Sequence, residues 1–186
     1  MGSILQSSLR VGVVCLALIS SACAFFWEQP GTALTQAAHR GDEGAIRTLI
    51  TGGANPNEFD ATGHTALHWA ARGGHKIGPH RCLGEDTERV AVINALVENG
   101  ADLNATDRRA AIPGGSSGWT PLHIALHHEQ FVTAARMLEL GANPNIRSHQ
   151  GKSIMAMAAE EGAPKELLKD LLAHGFDPRQ ARTPTQ

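Results

Sequence analysis

One short motif recurs four times along the chain and sets the strongest constraint on its fold. The copies are Thr32-Ala33-Leu34-Thr35, Thr65-Ala66-Leu67-His68, Thr120-Pro121-Leu122-His123 and Ser153-Ile154-Met155-Ala156. Their first residues are 33, 55 and 33 positions apart. A fixed period near 33 predicts a solenoid, in which each unit buries its apolar surface only against its neighbours. The middle interval exceeds the period by 22 residues and therefore predicts inserted segments.

Each unit carries the signals of two short helices. Thr65 and Thr120 are suitable N-caps, and Pro121 stands at the first helical position, where it loses no needed donor. We therefore predict first helices at Ala66–Gly73 and Pro121–His128. The second helices should end before glycines suited to a left-handed C-terminal position, namely Gly53, Gly100, Gly141 and Gly175.

This combination of motif, period and helix signals resembles the ankyrin repeat over roughly residues 32–178. The resemblance implies an all-α solenoid of about four helix–turn–helix repeats with β-hairpin fingers. Thr35 and Ala156 replace the motif histidine in the first and last repeats, which are therefore expected to act as caps. The expected domain covers 25–178, with repeats at about 31–60, 61–107, 108–147 and 148–178, and a disordered tail at 179–186.

Distances between landmarks locate the 22 extra residues. Thr32 to Gly53 spans 21 positions, whereas Thr65 to Gly100 spans 35, so one insertion lies in repeat two, at about 75–88. Gly141 to Ser153 spans 12 positions, whereas Gly100 to Thr120 spans 20, so the other insertion extends the finger at 108–118. Long loops on a rigid scaffold commonly carry function, and both insertions fall on the central repeats.

Residues 1–24 have the pattern of an export signal: Arg10, an apolar run over 11–19, and small residues at 20–24. Nine apolar residues are too few to span a bilayer core of about 30 Å. Cleavage after Ala24 would release a soluble protein. Alternatively, Cys23 resembles the lipidated cysteine of a bacterial lipobox, although Ser20 departs from that pattern. We expect a bacterial periplasmic protein or an outer-membrane lipoprotein facing the periplasm.

Composition gives no sign of catalysis or of a nucleic-acid partner. The net charge is -2, which does not favour a polyanion. No sequence motif pairs a serine or cysteine nucleophile with a local base, no phosphate-binding glycine loop follows a strand pattern, and no carboxylate pair suggests acid–base work. The sequence therefore predicts a non-catalytic chain without a cofactor.

The resemblance also implies where a partner would bind. Ankyrin-type repeats usually bind proteins on the concave side, with the late residues of the first helix and the finger tips. The positions matching that pattern, which we predict to bind a protein partner, are His39, Arg40, Phe59, His64, Arg72, Arg108, Arg109, Ile112, Trp119, His127, His128, His149, Lys152, Glu160 and Glu161. Arginine and tryptophan are frequent anchors of protein interfaces.

Histidines outside this set have two interpretations. His68 and His123 occupy the motif position that, in ankyrin-type units, ties its helix to neighbouring backbone, and Trp69 and Met157 are expected in the core. His75, His80 and Cys82 lie in the inserted loop and are chemically suitable zinc or copper ligands, although their spacing matches no firm metal signature. Metal binding is therefore an alternative function.

The expected function is protein binding by an exported chain that is itself monomeric. Exported bacterial ankyrin proteins, which this chain resembles, are associated with two kinds of partner. One is periplasmic catalase, whose activity they support, and the other is a secreted toxin that an immunity protein neutralises. The residues do not choose between these alternatives.

Overall fold

The computed structural model describes residues 31–73, 86–108 and 118–181 of the chain, without the side chains of 86–88, 180 and 181. The described ranges contain four helix–turn–helix pairs. They are α1 (Ala33–Arg40) with α2 (Glu43–Thr51), α3 (Ala66–Arg72) with α4 (Asp86–Glu98), α5 (Pro121–His127) with α6 (Phe131–Glu139), and α7 (Ile154–Glu160) with α8 (Lys165–Ala173). The predicted all-α repeat solenoid is confirmed.

The first, or inner, helix of each pair begins at its motif residue. Thr32, Thr65 and Thr120 form capping boxes, in which the threonine side chain and the third helical residue each bond to the other's backbone. Ser153 caps α7 through the amide of Ala156. Such caps contribute about 1 kcal/mol each, which matters for helices of seven or eight residues that are marginal alone.

The four pairs stack in chain order, with inner helices contacting inner helices and outer helices contacting outer helices. Alanines at equivalent positions, such as Ala37, Ala70, Ala125 and Ala158, are completely buried and let the inner helices approach closely. Trp69 and Met157 are 1% and 0% exposed, as predicted for core residues. The stack therefore places each repeat's inner-helix end and finger beside those of the next.

The insertion in repeat two is partly helical, which corrects the predicted loop at 75–88. The outer helix α4 has 13 residues, whereas α2, α6 and α8 have nine each. All four end two residues before their landmark glycine, so α4 is longer at its N-terminus and includes residues 86–88. Residues 74–85 lie outside the described part of the chain.

The fingers are tight hydrogen-bonded turns, and no strand is assigned in the described ranges beyond one isolated bridge between Arg147 and Ser153. The Asp60 amide donates to the His64 carbonyl, and the Asp107 amide to the Trp119 carbonyl. Near the C-terminus, Pro178–Ala181 forms a 3₁₀ turn, so the first three residues of the expected tail are ordered in this way. Residues 182–186 lie outside the described ranges.

Candidate functional site

The late residues of the inner helices and the adjoining fingers together form one side of the stack, here called the inner surface. Seven and eight positions after each motif start, the pairs are His39-Arg40, Arg72-Gly73, His127-His128 and Glu160-Glu161. Stacking brings these pairs into a row that is basic at repeat one and acidic at repeat four. The row follows from the regular register of the repeats.

The two motif histidines are buried, and His68 fastens its inner helix to the next finger. His68 Nδ1 accepts from the Thr65 amide at 3.2 Å, and its Nε2 donates to the Trp119 carbonyl at 3.1 Å. Burial, and the nearby charge of His64, lower the pKa of His68 to about 3, although the Trp119 carbonyl opposes the shift. Burial also lowers the pKa of His123 to about 4 against the effect of the Lys152 carbonyl. Both imidazoles are therefore neutral and structural near pH 7.

Trp69 is the centre of a polar cluster at the junction of repeats one and two. Its indole N–H donates to Asp60 Oδ2 at 2.6 Å. The His39 and His64 rings lie 5.2 and 5.4 Å from its ring centre, and the Arg72 guanidinium carbon lies at 5.2 Å. Burial acts to raise the pKa of Asp60, but hydrogen bonds from Thr62, His64, Trp69 and Gly31 outweigh it and lower that pKa. Asp60 is thus an ionised structural anchor of the first finger.

Trp119 occupies the corresponding junction of repeats two and three. Its ring stacks on His123 at 6.5 Å and contacts the His127 ring edge-on at 4.9 Å. Asp107 Oδ1 accepts from the Trp119 amide at 3.0 Å, and its Oδ2 lies 4.0 Å from His64 Nε2. A cavity of about 180 Å³ opens here, lined by His64, Arg72, Asp107, Trp119, Ile124, His127 and His128.

The first and second fingers touch through Gly63 and Arg108. The Arg108 amide donates to the Gly63 carbonyl at 2.9 Å. The Arg108 guanidinium carbon lies 3.9 Å from the centre of the Phe59 ring. This cation–π pair holds the exposed Arg108 side chain above an aromatic side chain of the first finger.

At the acidic end, both glutamates already have partners. Glu161 Oε1 lies 3.1 Å from His127 Nδ1, and Glu160 forms an ion pair with Lys152. The side chains of Glu160 and Glu161 are 58% and 26% exposed. The negative charge of repeat four is therefore partly neutralised by residues of the inner surface itself.

The structure places most of the predicted partner-binding residues on this surface, with different exposures. Exposed residues are Arg40, Arg108, His127, His149 and Glu160, and half-buried ones are His39, Phe59, Arg72, Trp119, His128, Lys152 and Glu161. His64 differs from the surface position expected, because it is 4% exposed between Trp69 and Asp107. Arg109 and Ile112 lie outside the described residues.

Two lining residues of the cavity were missed at the sequence level. Asp107 stands in the second finger where Asp60 stands in the first, and this register was the available signal. Ile124 corresponds to Trp69 and Met157, so the pattern indicated a core residue rather than a cavity wall. The shape of the cavity depends on how neighbouring repeats stack, which local patterns do not specify.

In the described ranges, no group of three or more histidine, cysteine, aspartate or glutamate residues is arranged to hold a metal ion. The suggested ligands His75, His80 and Cys82, and the lipidation candidate Cys23, lie outside these ranges. No helix that the structure describes is long and apolar enough to cross a membrane.

Comparison with known proteins agrees with the repeat architecture. The family model for ankyrin repeats, in three copies, matches residues 10–78 and 85–182. Ankyrin repeat protein 14 of vaccinia virus (strain Western Reserve) is 34% identical over 85 residues, which cover 46% of this chain and 32% of that protein. The mouse B-cell lymphoma 3 protein homolog is 27% identical over 155 residues, covering 71% of this chain and 33% of its own length.

Mouse NF-kappa-B inhibitor delta is 30% identical over 96 residues, which cover 47% of this chain and 29% of that protein. The Drosophila melanogaster palmitoyltransferase Hip14 is similar over 66% of this chain but only 16% of its own length. The chain thus spans about a third or less of the length of these relatives.

Proposed function

The chain belongs to the ankyrin-repeat family, and we propose that it is a non-catalytic module that binds one protein partner through its inner surface. Ankyrin repeats are protein-interaction modules, and the inner surface of this chain supplies the features of an interface. The observation that carries the proposal is the junction of repeats two and three, where half-buried Trp119 borders an open cavity lined by Arg72 and His127.

The rigidity of this junction supports a binding role. Trp119 is fixed by its contacts with His123 and His127 and by the backbone bond to Asp107. A preorganised aromatic side chain loses little conformational entropy on binding, and tryptophan and arginine carry much of the energy of protein interfaces. Arg108, held over Phe59, extends the same surface onto the fingers.

The chemistry of the cavity supports a non-catalytic role. None of its lining residues is a serine, cysteine or lysine that could act as a nucleophile. The His64 and Asp107 side chains are 6% and 1% exposed, and Asp107 Oδ1 is bonded to the Trp119 amide. This pair is better explained as a link between repeat two and the second finger than as an acid–base pair acting on a substrate.

The sequence of residues 1–24 supports a periplasmic location, either as a soluble protein or through lipid on Cys23. Intact mass of the mature N-terminus separates these forms, since lipidation adds a diacylglyceryl group to Cys23, whereas cleavage after Ala24 leaves Phe25 first.

The partner would be a periplasmic enzyme such as catalase, or alternatively a secreted toxin. Peroxide sensitivity of a deletion strain supports the first. Self-intoxication that is relieved by also deleting the toxin supports the second.

Binding of zinc or copper by His75, His80 and Cys82 is the remaining alternative. Metal analysis of the purified chain tests it directly. A stoichiometric ion that is lost in a Cys82→Ser variant would support metal binding. Its absence from the wild-type chain would remove this alternative and leave the protein-binding proposal unaffected.

The binding proposal is tested by crosslinked capture of partners from the exported fraction. Trp119→Ala should weaken capture of the principal partner at least tenfold, because truncating an interface hot spot costs about 2 kcal/mol or more, and about 1.4 kcal/mol is already tenfold. Val132→Ala is the matched control, since Val132 is an exposed apolar residue of the outer helix α6. Unchanged capture by Trp119→Ala, and by a variant that combines it with Arg108→Ala, would contradict the inner surface as the binding site.

A further inference from the structure

The cavity between repeats two and three has the size of a side-chain pocket. Its volume is about 180 Å³, whereas pockets for small organic ligands usually measure roughly 300–1,000 Å³. It reaches solvent at His127, whose side chain is 48% exposed. A single side chain from a bound protein therefore fits the cavity better than a separate small molecule does.

The rim of this cavity already binds a carboxylate from within the chain. His127 Nδ1 lies 3.1 Å from Glu161 Oε1, so the imidazole N–H donates to the glutamate. Arg72 lines the same cavity, with its guanidinium carbon 5.2 Å from the centre of the Trp69 ring. A guanidinium group has five N–H donors and binds carboxylates in a planar, bidentate arrangement. The cavity thus has two kinds of hydrogen-bond donor for a carboxylate, an imidazole N–H and a guanidinium group.

The one carboxylate among the described residues that line the cavity, that of Asp107, is buried and contacts groups within the chain. Asp107 has a side chain that is 1% exposed, with Oδ1 accepting from the Trp119 amide and Oδ2 facing His64. One oxygen of this carboxylate therefore lies against the second finger, and the other faces His64 of repeat two.

Near the inner-helix ends the charges are instead cationic, at exposed Arg40 and half-buried Arg72, and exposed Arg108 adds a third cation on the second finger. One exposed carboxylate, Glu58, lies beside Phe59 on the first finger.

The segments that follow Gly73 and Arg108 in the sequence are also net basic. The segment after Gly73 contains two basic residues, Lys76 and Arg81, and one acidic residue, Glu85. The segment after Arg108 begins with Arg109. At the opposite end of the inner surface, Glu160 is paired with Lys152. A partner segment that is complementary to repeats one to three would therefore be acidic.

We propose that the cavity receives an aspartate or glutamate side chain from an acidic segment of the protein partner. The incoming carboxylate binds Arg72 and His127 and replaces Glu161 at His127, while the rest of the segment lies along Arg40 and Arg108. The inference rests on the proposed protein-binding function and adds the chemistry of the partner.

The test selects a phage-displayed library of random peptides on the full chain. Selected peptides should be enriched in aspartate or glutamate, and the same selection on Arg72→Gln should lose that enrichment. Arg47→Gln is the matched control, because Arg47 is an exposed arginine on the outer helix α2. Thermal unfolding of each variant confirms that the loss does not come from misfolding.

Fluorescence anisotropy with one selected peptide then measures the contribution of each residue. Arg72→Gln should weaken binding at least tenfold, and a glutamine in place of the enriched acidic residue should weaken it equally, with little further loss when both changes are combined. Glu161→Gln should strengthen binding severalfold because it removes the internal competitor for His127. Glu98→Gln, which removes an exposed carboxylate from the outer helix α4, should leave the affinity unchanged.

The outcomes separate the two proposals. Selected peptides that lack acidic residues but lose binding in Trp119→Ala would overturn the acidic-segment inference and leave the binding function in place. Weaker binding by Glu161→Gln would also overturn the inference. Peptides that bind Trp119→Ala as well as the wild-type chain, or no selection at all, would overturn both.

Discussion

At the scale of single residues, the absence of a side chain decides how closely two fingers pack. Gly63 and Gly151 occupy the same position of the first and third fingers, with φ of 81° and 76°. A Cβ on Gly63 would lie 2.9 Å from the Arg108 carbonyl carbon, whereas a Cβ on Gly151 would meet nothing within 4 Å. The two glycines therefore share a conformational requirement, and only Gly63 has a steric one.

We expect Gly63→Ala to be clearly more destabilising than Gly151→Ala. Both alanines carry the strain of a left-handed conformation, about 1–2 kcal/mol, but the Cβ of the first would also lie 2.9 Å from the Arg108 carbonyl carbon, so the backbone there must shift. The expected difference in the free energy of unfolding, measured by urea denaturation, is at least about 1 kcal/mol. Equal losses for the two variants would show that the fingers separate without cost.

The sequence did not indicate that two aspartates of the fingers are buried. Asp60 and Asp107 are short acidic residues next to turns, a pattern that is usual for exposed fingers, yet they are 7% and 2% exposed. Asp60 is buried because the indole of Trp69 and three backbone amides satisfy its carboxylate. The donors of these hydrogen bonds lie up to 29 positions away in the sequence, so the local sequence pattern did not indicate them.

At the scale of elements, the extension of α4 takes over part of the capping of α3. In repeats one, three and four, the inner-helix carbonyls of Ala37, Ala125 and Ala158 accept a backbone amide from the following turn. The equivalent carbonyl in repeat two belongs to Ala70, and the guanidinium of Arg89 donates to it at 3.3 Å. Arg89 is 3% exposed and lies in the added turn of α4.

Replacing Arg89 by methionine should therefore destabilise the protein by about 2 kcal/mol, because a charge-assisted hydrogen bond at a buried helix end is lost. The comparison variant is Arg47→Met, since Arg47 is 48% exposed and its ion pairs lie on the outer surface. That change should stay within about 0.5 kcal/mol. The measurement is the free energy of unfolding of both variants. An Arg89→Met variant as stable as Arg47→Met would contradict the capping role.

At the scale of the whole molecule, two neutral histidines are buried in successive repeats. His68 joins repeat two to the backbone before Thr120, and the Lys152 carbonyl before Ser153 faces His123. Burial lowers the pKa of His68 to about 3 and of His123 to about 4, compared with 6.5 in the unfolded chain. Between these values the unfolded chain binds more protons than the folded one, so stability must fall as the pH decreases below about 6.5.

We expect the free energy of unfolding to decrease by roughly 2 kcal/mol per buried histidine between about pH 7 and pH 5. Urea denaturation at the two pH values measures the decrease. Val132→Ala is the control, because it replaces an exposed side chain that does not titrate and should leave the slope unchanged. Equal stability at both pH values, or NMR titration of the His68 ring near pH 6.5, would contradict the burial argument.

The sequence by itself determined the four-unit solenoid, the starts of its inner helices and which positions of the motif are buried in the core. Caps, Pro121 and the terminal glycines act through local backbone geometry, so a motif repeated at a fixed spacing specifies them without knowledge of distant residues. The inner surface followed from the same register, and most of its predicted residues lie there.

Only the tertiary structure decided that His64 is buried against Asp107, that Arg89 caps α3 and that a cavity opens beside Trp119. These features depend on contacts between neighbouring repeats and on where the inserted residues enter the stack. The physical reason is that burial and cavity shape come from packing between residues far apart in sequence, whereas helix ends are determined within a few residues.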